Sequence, residues 1–229
     1  STIPVDALNT TQLQPYSYFP MFKPLIGTKD QLWAGNLKKF KVADGTIKDI
    51  LDNSVFNGTT IRDSLQDYWY SEVTGDPDKK MAWGGHLSRL KVHHYPKVEN
   101  SELKLQRNLY VNINGSLESV TDILGTNKAT NSHYLYGLLG FSNLNETDFT
   151  ALAGKNSSDQ LVYLQNKAAN PGKYQMGSVI HSTPVLLTQK GALAYDKLEG
   201  FSSQNREDYI LFGTTQGVLH VVKAGQQTK

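Results

Sequence analysis

Alternating runs of apolar and polar residues are the most regular feature of this sequence. Near its end, residues 209–212 and 218–222 form two apolar runs separated by a glycine-containing segment, which predicts two strands and a turn. The dipeptides Asp44-Gly45 and Asn114-Gly115 lie between similar runs and predict hairpins, because glycine accepts the positive φ angles of tight turns. The pattern therefore indicates a protein built largely from antiparallel strands.

The first third of the chain interrupts this pattern. Residues 10–35 hold three prolines between aromatic residues, which disfavours a helix or the middle of a sheet and predicts an extended, packed segment. In "TTIRDSLQDYW" (59–69) the apolar residues recur every four positions, which predicts a short helix capped at Thr59 or Thr60. The stretch "MAWGGHLSRLKVHHYP" (81–96) returns to a strand pattern.

Residues from about 116 to 175 are rich in Asn, Thr, Ser and Gly and contain helical patches. The patches are "SHYLYGLLG", "DFTALAG" and "SSDQLVYLQNKA", and in the last one Ser157 and Gln160 have the spacing of a capping box. This part of the chain is predicted to be a helical insertion into the β structure.

Five segments share an apolar or aromatic strand that is closed by a glycine-containing turn, and they lie around Trp33, Trp83, Tyr110, Val185 and Phe212. Approximate, irregularly spaced units of this kind are typical of a decorated β-propeller. The predicted fold is all-β: a single, partial or truncated β-propeller domain over residues 1–229, with the helical insertion at about 116–175.

Composition limits the classes of function. The 229 residues contain 23 Lys and Arg against 21 Asp and Glu, without a block of like charge, so no nucleic-acid surface is indicated. No apolar run is long enough for a membrane span. The absence of cysteine excludes disulfides and thiolate chemistry; it fits any compartment, an oxidising periplasm included. The start "STIPVDALNT" lacks a signal peptide, so we expect a mature or excised piece.

His181-Ser182-Thr183 is the one arrangement that suggests a serine hydrolase. Adjacent strand residues point to opposite faces, and no Gly-x-Ser-x-Gly turn is present, so a structural role is favoured. We expect His181 to bury its ring at a strand edge, and Thr183-Pro184 to lead into the next strand. No catalytic residue is predicted.

Two groups of residues suggest a metal site. Among His86, His93 and His94, only the first and last share a strand face, and a metal needs converging ligands. Asp76-Pro77-Asp78 lacks the further oxygen ligands of a calcium loop and is followed by two lysines. The prediction is that neither group binds a metal, and that these residues hold no cofactor.

Aromatic residues offer a possible stacking surface for glycans or peptides. The default prediction for Trp33 and Trp83 is core packing, since large rings at strand positions bury most of their surface. Tyrosines in loop-like or helix-end contexts are expected to be partly exposed and open to a binding role; these are Tyr16, Tyr18, Tyr68 and Tyr70.

Three stretches of the sequence resemble motifs of one known family. "LWAGNLKKFKV" (32–42) resembles the Trp-x-Gly-Asn-Leu-Lys-x-Tyr strand of the family's C-terminal propeller. "MGSVIHSTPVLL" (176–187) is similar to its Leu-Gly-Asp-Ile-Val-His-Ser-Thr-Pro segment, and "DYILFGTTQGVLHVVKAG" (208–225) to its last strand pair. The order of the motifs also matches, from about Tyr18 to Gly225. The chain thus resembles the PilY/PilC family of type IV pilus biogenesis factors and pilus-associated adhesins.

The resemblance implies a non-enzymatic protein, exported to the periplasm and outer cell surface, that supports pilus assembly, twitching motility, surface attachment and virulence. The implied partners are minor pilins, the pilus tip, and host or abiotic surfaces. Ser178, Gln216 and Val222 replace an Asp, an Asp and a Phe of the family pattern, which puts any acidic contact there in doubt. The family's Asp-rich calcium loop has no counterpart in these residues.

A second resemblance gives an alternative to the pilus family. The end of the chain is also similar to the blades of quinoprotein-like propellers, which are pyrroloquinoline-quinone dehydrogenases or outer-membrane assembly scaffolds, although Val222-Lys223-Ala224 replaces their usual Ala-x-Asp ending. In either family, three to five blade-like segments leave an open edge after Val222. We expect a truncated propeller whose edge pairs with a second copy, or a chain that lacks further residues.

Overall fold

The computed structural model describes residues 5–6, 9–13, 16–24, 33–73, 78–92, 96–119, 145–167, 176–190, 194–196, 200–202 and 207–224. Most of the described elements are short antiparallel strands, accompanied by a few helices. The chain forms two compact units: unit 1 is Ser1–Ser88 with Met176–Lys229, and unit 2 is Arg89–Gln175. The insertion predicted at about 116–175 falls within unit 2.

The strands, in chain order, are β1 (Val5–Asp6), β2 (Asn9–Leu13), β3 (Tyr16–Lys23), β4 (Ala34–Ala43), β5 (Thr46–Lys48), β6 (Phe56–Asn57), β7 (Thr60–Ile61), β8 (Lys97–Glu99), β9 (Glu102–Lys104), β10 (Tyr110–Ile113), β11 (Ser116–Ser119), β12 (Val185–Lys190), β13 (Ala194–Asp196), β14 (Gly200–Ser202), β15 (Glu207–Gly213) and β16 (Leu219–Lys223). The helices are α1 (Lys79–Ala82), α2 (Gly85–Val92), α3 (Glu146–Ala153) and α4 (Ser157–Lys167).

The first three-stranded sheet of unit 1 has the order β3-β4-β5. Its central strand β4 is buried from Gly35 to Phe40, and the predicted turn joins it to β5, with φ angles of 51° at Asp44 and 71° at Gly45. Pro20 lies in β3, an outer strand of this sheet, where the missing N–H costs no ladder bond. The predicted hairpin is confirmed, and the extended proline-containing segment contributes a strand to it.

The second three-stranded sheet, with the order β12-β15-β16, contains the last predicted strand pair. β15 and β16 are antiparallel, and Phe212 lies opposite His220. Residues Leu186, Ile210 and Phe212 form the buried face of the sheet. The strand that follows Thr183-Pro184 begins at Val185, as expected.

Unit 2 contains two hairpins and two helices among its described residues. In the β10–β11 hairpin, Asn114 and Gly115 both have positive φ angles, 53° and 90°, which confirms the predicted turn. Helices α3 and α4 match the predicted patches "DFTALAG" and "SSDQLVYLQNKA". The cap of α4 is one residue earlier than predicted, since Asn156 Oδ1 accepts the Asp159 N–H at 3.0 Å. The patch "SHYLYGLLG" lies outside the described residues.

Helices α3 and α4 meet at a carboxylate. Asp148 belongs to a capping box with Asn145 at the start of α3. Lys167 Nζ lies 2.7 Å from one oxygen of this carboxylate, and the Tyr163 hydroxyl donates to it at 2.7 Å. These contacts, the lysine first, lower the pKa of Asp148 to about 2. The carboxylate therefore stays charged and joins the two helices at neutral pH.

Two predictions of secondary structure were wrong. The segment 59–69 has a short strand at Thr60–Ile61 and is otherwise irregular, so its period of four residues does not form a helix. Residues 81–92 are helical rather than extended, because α1 and α2 flank Trp83 and Gly84. Trp83 therefore does not lie in a blade-like strand. In both cases tertiary contacts override the local sequence pattern, because buried polar side chains bind the main chain of this region.

The core of the first sheet lies beneath β4 and its neighbours. Phe19, Phe40, Val55 and Leu65 form a buried cluster, against which half-buried Ile47, Phe56 and Ile61 pack. The period-four residues Ile61, at the end of β7, and Leu65, in the irregular segment after it, thus both face the core. Among the described residues, the sheets have two or three strands and no closed ring of blades is present, so the protein is mainly β and the propeller stays a prediction.

Candidate functional site

The stretches that resemble the pilus family meet in unit 1, where polar side chains of β4 bind the backbone of helices α1 and α2. The Asn36 amide donates to the carbonyl oxygens of Met81 at 2.7 Å and Gly84 at 3.0 Å. Its Oδ1 accepts the Leu87 N–H at 3.0 Å. One buried side chain therefore fixes the turn between the two helices, which replaces the hydrogen bonds that helix ends lack.

Lys38 binds the same turn from the next position of β4. Its Nζ donates to the carbonyl oxygens of Lys80 and Trp83, each at 2.9 Å. Lys38 is 5% exposed, and this burial lowers the pKa of its ammonium, although the charge of Asp67 opposes the shift. The lysine acts as a buried clamp on the main chain and is not available to a partner in solution.

Asp67 is the buried carboxylate of this region. Its oxygens accept the N–H groups of Lys39 at 3.0 Å, Gly85 at 2.8 Å and Trp69 at 3.2 Å. Burial raises the pKa of the carboxyl, and the three N–H donors oppose that shift. The contacts hold residues 67–69 against β4 and α2, which explains why this segment is not helical.

Lys39 binds the chain just after the last strand of unit 1. Its Nζ donates to the Ala224 carbonyl at 2.7 Å and lies 3.9 Å from the centroid of the Tyr16 ring. The Trp69 indole N–H also donates to the Ala224 carbonyl, at 3.2 Å. Burial lowers the pKa of Lys39 to about 8, against the charges of Asp208 and Asp67. These contacts attach the residue after β16 to the core.

The segment that carries His181-Ser182-Thr183 is held by hydrogen bonds to β4 and to the last hairpin. The Gly35 N–H donates to the Met176 carbonyl at 3.0 Å, and Ser178 and Thr215 exchange hydrogen bonds at 3.0 Å. Ser182 Oγ accepts the Gly213 N–H at 2.8 Å. Ser182 therefore anchors the hairpin. The expectation that the His181 ring is buried was wrong, since His181 is exposed to solvent.

His86 lies beside His220, a histidine that the search for a metal site in the sequence did not include. His86 Nε2 is 3.1 Å from Nδ1 of His220, and the two rings are nearly perpendicular at 82°. The His220 ring stacks on Phe212 with centroids 5.0 Å apart and planes at 6°. His93 and His94 lie outside the described residues. Sequence reasoning missed this pair because its members are 134 residues apart.

The metal candidates do not converge in the part of the chain that is described. No group of three or more His, Cys, Asp or Glu side chains there could hold a metal ion. Asp76 and Pro77 lie outside the described residues. Asp78 accepts the Met81 N–H at the start of α1 and forms an ion pair with Lys23 at 2.7 Å. It therefore serves as a helix cap.

The aromatic residues are distributed differently from the prediction. Trp33 and Trp83, expected in the core, are half-buried, and Trp69 is the buried tryptophan. Of the tyrosines expected to be partly exposed, Tyr18 and Tyr68 are buried, whereas Tyr16 and Tyr70 are half-buried. Tyr18 packs against Trp69 with ring centroids 5.4 Å apart. Most of these rings thus contribute to packing.

The sheet β12-β15-β16 has an exposed apolar face, which the sequence analysis did not single out. The exposed side chains are Val185 at 58%, Leu187 at 48%, Leu219 at 66% and Val221 at 59%. Val185, half-buried Leu211 and Val221 lie side by side across the three strands. At one end of this surface, Lys223 forms an ion pair with Glu207 at 3.3 Å. We call the surface formed by Val185, Leu187, Leu211, Leu219 and Val221 the apolar face.

Comparison with family models, curated proteins and solved structures finds no significant match to this chain.

Proposed function

We propose that this chain is a non-enzymatic β-propeller module of a PilY/PilC-like type IV pilus biogenesis factor and adhesin. It acts at the periplasm and outer cell surface by binding minor pilins, the pilus tip and host or abiotic surfaces. The motif resemblance supports this proposal. The residues of the three motifs serve as anchors: Asn36 and Ser182 bind main-chain groups of neighbouring segments. Because these motif residues hold the scaffold together, we expect partners to bind to its exposed surface.

The observation that carries a binding role is the apolar face. Four large aliphatic side chains, each about half exposed or more, lie on one side of a single small sheet. Contiguous apolar surface of this kind marks sites where proteins bind one another. The opposite side of the sheet is already buried through Ile210 and Phe212. We assign the apolar face to a minor pilin, the partner that the resemblance implies.

A binding measurement tests this assignment. Purified chain is immobilised, and purified minor pilins are titrated over it, with the double variant Leu219→Ser/Val221→Ser compared with wild type. We expect the variant to weaken binding by about tenfold or more, because central apolar contacts dominate interface energies. Leu117→Ser is the matched control, since Leu117 is 74% exposed on β11 of unit 2. Equal binding by all three proteins would contradict the assignment.

A genetic measurement tests the biological role. Deletion of the gene in the source organism is expected to reduce surface pili and twitching, and the wild-type gene to restore both. Normal piliation and motility in the deletion strain would overturn the proposal. Dye-linked alcohol oxidation by the chain with added calcium and pyrroloquinoline quinone would favour the quinoprotein alternative instead.

The open strand edge gives a third test. β16 is an outer strand of its sheet in the described part of the chain, and unpaired strand edges are templates for pairing with another strand. We expect a concentration-dependent dimer through residues 219–223. Lys223→Pro should weaken it by removing an N–H that points away from β15, because the next residue, Ala224, donates its own N–H inward to Asp208. A monomer at all concentrations would contradict this pairing and leave the binding assignment intact.

A further inference from the structure

The hydrogen bond between His86 and His220 joins helix α2 to strand β16. Nε2 of the first imidazole and Nδ1 of the second are 3.1 Å apart. Phe212, which is 1% exposed, stacks on the His220 ring and meets the His86 ring edge-on at 87°. Aromatic contacts therefore restrict both rings, and neither imidazole can turn away without losing packing.

Proton counting limits the charge that this pair can carry. A neutral imidazole has one N–H donor and one acceptor nitrogen, whereas the imidazolium has two donors. At 3.1 Å one of the two facing nitrogens must donate and the other must accept. The bond survives the first added proton, since a charged ring can still donate to a neutral one. A second proton places two donors and two positive charges against each other.

The described ionisable groups on the surrounding elements are more often basic than acidic. Asp67 accepts the N–H of Gly85, the residue before His86, and on β15 Glu207 pairs with Lys223. Asp208 follows on β15, and its charge acts on Lys39. The basic groups are Lys38, Lys39 and Lys41 of β4, Arg89 and Lys91 of α2, and Lys223 of β16, with exposed His181 on the preceding segment.

We propose that His86 and His220 form a proton-sensitive latch, which holds α2 against β16 at neutral pH and releases it on acidification. Release loosens the strand that carries Leu219 and Val221 of the apolar face. The latch would thereby make the order of this face depend on pH. This inference does not require the pilus assignment, because it rests on the two rings alone.

The sign of the effect follows from linkage. In the unfolded chain both imidazoles titrate near their ordinary pKa of about 6.5. In the folded chain a second proton would break the hydrogen bond between His86 and His220, so the unfolded state binds more protons below about pH 6. Folding stability contributed by the pair is therefore present above that pH and is lost as the pH falls.

Hydrogen exchange and NMR test the latch on the full chain. Amide protection in residues 85–92 and 219–223, corrected for intrinsic exchange, is compared at pH 7.5 and pH 5. In wild type we expect the local opening constant to rise on the order of tenfold. In His86→Gln and His220→Gln this pH dependence should disappear. His181→Gln, which removes an exposed imidazole, should behave as wild type.

Imidazole ¹⁵N shifts of the wild-type protein keep the proposal testable if a variant does not fold. We expect the two rings to titrate in two coupled steps, the second displaced below the ordinary range. Independent single-step titration of both rings would overturn the proposal. The same pH dependence in wild type and in both folded Gln variants would also overturn it.

Discussion

The ammonium of Lys39 donates a 2.7 Å hydrogen bond to the carbonyl oxygen of Ala224, 185 residues further along the chain. Lys39 is 1% exposed, so this charge sits inside unit 1, where the Ala224 carbonyl, the face of the Tyr16 ring and the charges of Asp208 and Asp67 help to stabilise it. A buried ammonium is costly to charge, and its contribution to stability therefore depends on pH.

The first prediction concerns this pH dependence. Burial lowers the pKa of Lys39 to about 8, whereas an unfolded chain titrates its lysines near pH 10.4, at about their ordinary pKa. Between these values the folded state binds fewer protons, so this group adds stability as the pH rises. Relative to Lys39→Met, wild type should gain up to about 1 kcal/mol per pH unit above pH 8.

Urea unfolding at pH 8.0, 8.7 and 9.4 measures the difference. Lys41→Met is the control, because Lys41 lies on the same strand with an exposed side chain. If wild type and Lys39→Met change in parallel with pH, Lys39 is not buried in its charged form.

The second prediction tests the carboxylate of Asp67. Asp67→Asn places an amide group where three main-chain N–H groups need acceptors, and should lower the free energy of unfolding by about 2 to 3 kcal/mol. Asp63→Asn is the matched control, since the Asp63 side chain is 85% exposed and forms a surface ion pair with Lys80. That change should cost less than about 0.5 kcal/mol. Equal losses in chemical denaturation would refute the anchoring role.

The third prediction separates backbone strain from close packing at a glycine. Gly85 has φ of +68°, and an added Cβ would collide with Asn36 Oδ1 and the Leu37 carbonyl. Gly58 has a similar φ of +62°, but nothing lies within 4 Å of an added Cβ. Gly58→Ala should therefore cost about 1 kcal/mol. Gly85→Ala should lower the thermal midpoint far more, and a loss no larger than that of Gly58→Ala would count against this packing.

The fourth prediction distinguishes an anchor from a nucleophile at Ser182. Ser182→Ala leaves the Gly213 N–H without its side-chain acceptor and should destabilise the fold by about 1 to 2 kcal/mol. Ser158→Ala, an exposed change on α4, should be nearly neutral. Wild-type protein should not react with a serine-directed phosphonate. Labelling that Ser182→Ala abolishes would establish a nucleophile and remove the anchoring interpretation.

Local turn chemistry explains what the sequence predicted well. Asp44-Gly45 and Asn114-Gly115 form tight turns because their φ preferences are local, and the apolar alternation on either side sets the strands. Helix α4 could also be predicted from the sequence, because it has a regular helical pattern. Its Leu164 faces the interior and is 0% exposed. These elements depend little on distant residues.

The region from Ile61 to Leu90 could not be predicted in this way. Trp69 lies on an irregular segment because Asp67 captures main-chain N–H groups of β4 and α2. Gly84 divides a run that resembled a strand, and Leu87 and Leu90 then pack at helical spacing. Asp78, which caps α1, was the one local signal of a helix. The latch between His86 and His220 has no local signal, since only the tertiary fold brings the two rings together.

Unit 1 is assembled from two stretches of chain that the whole of unit 2 separates in sequence. During synthesis, β4 is complete long before the Ala224 carbonyl that receives its lysine has been made. Contacts that close such long loops form slowly, while segments with local hairpins and helices order early. Unit 2 can therefore fold while Lys39 of β4 still lacks its acceptor, and the first strands of the protein must be kept from aggregating until the last ones are synthesised.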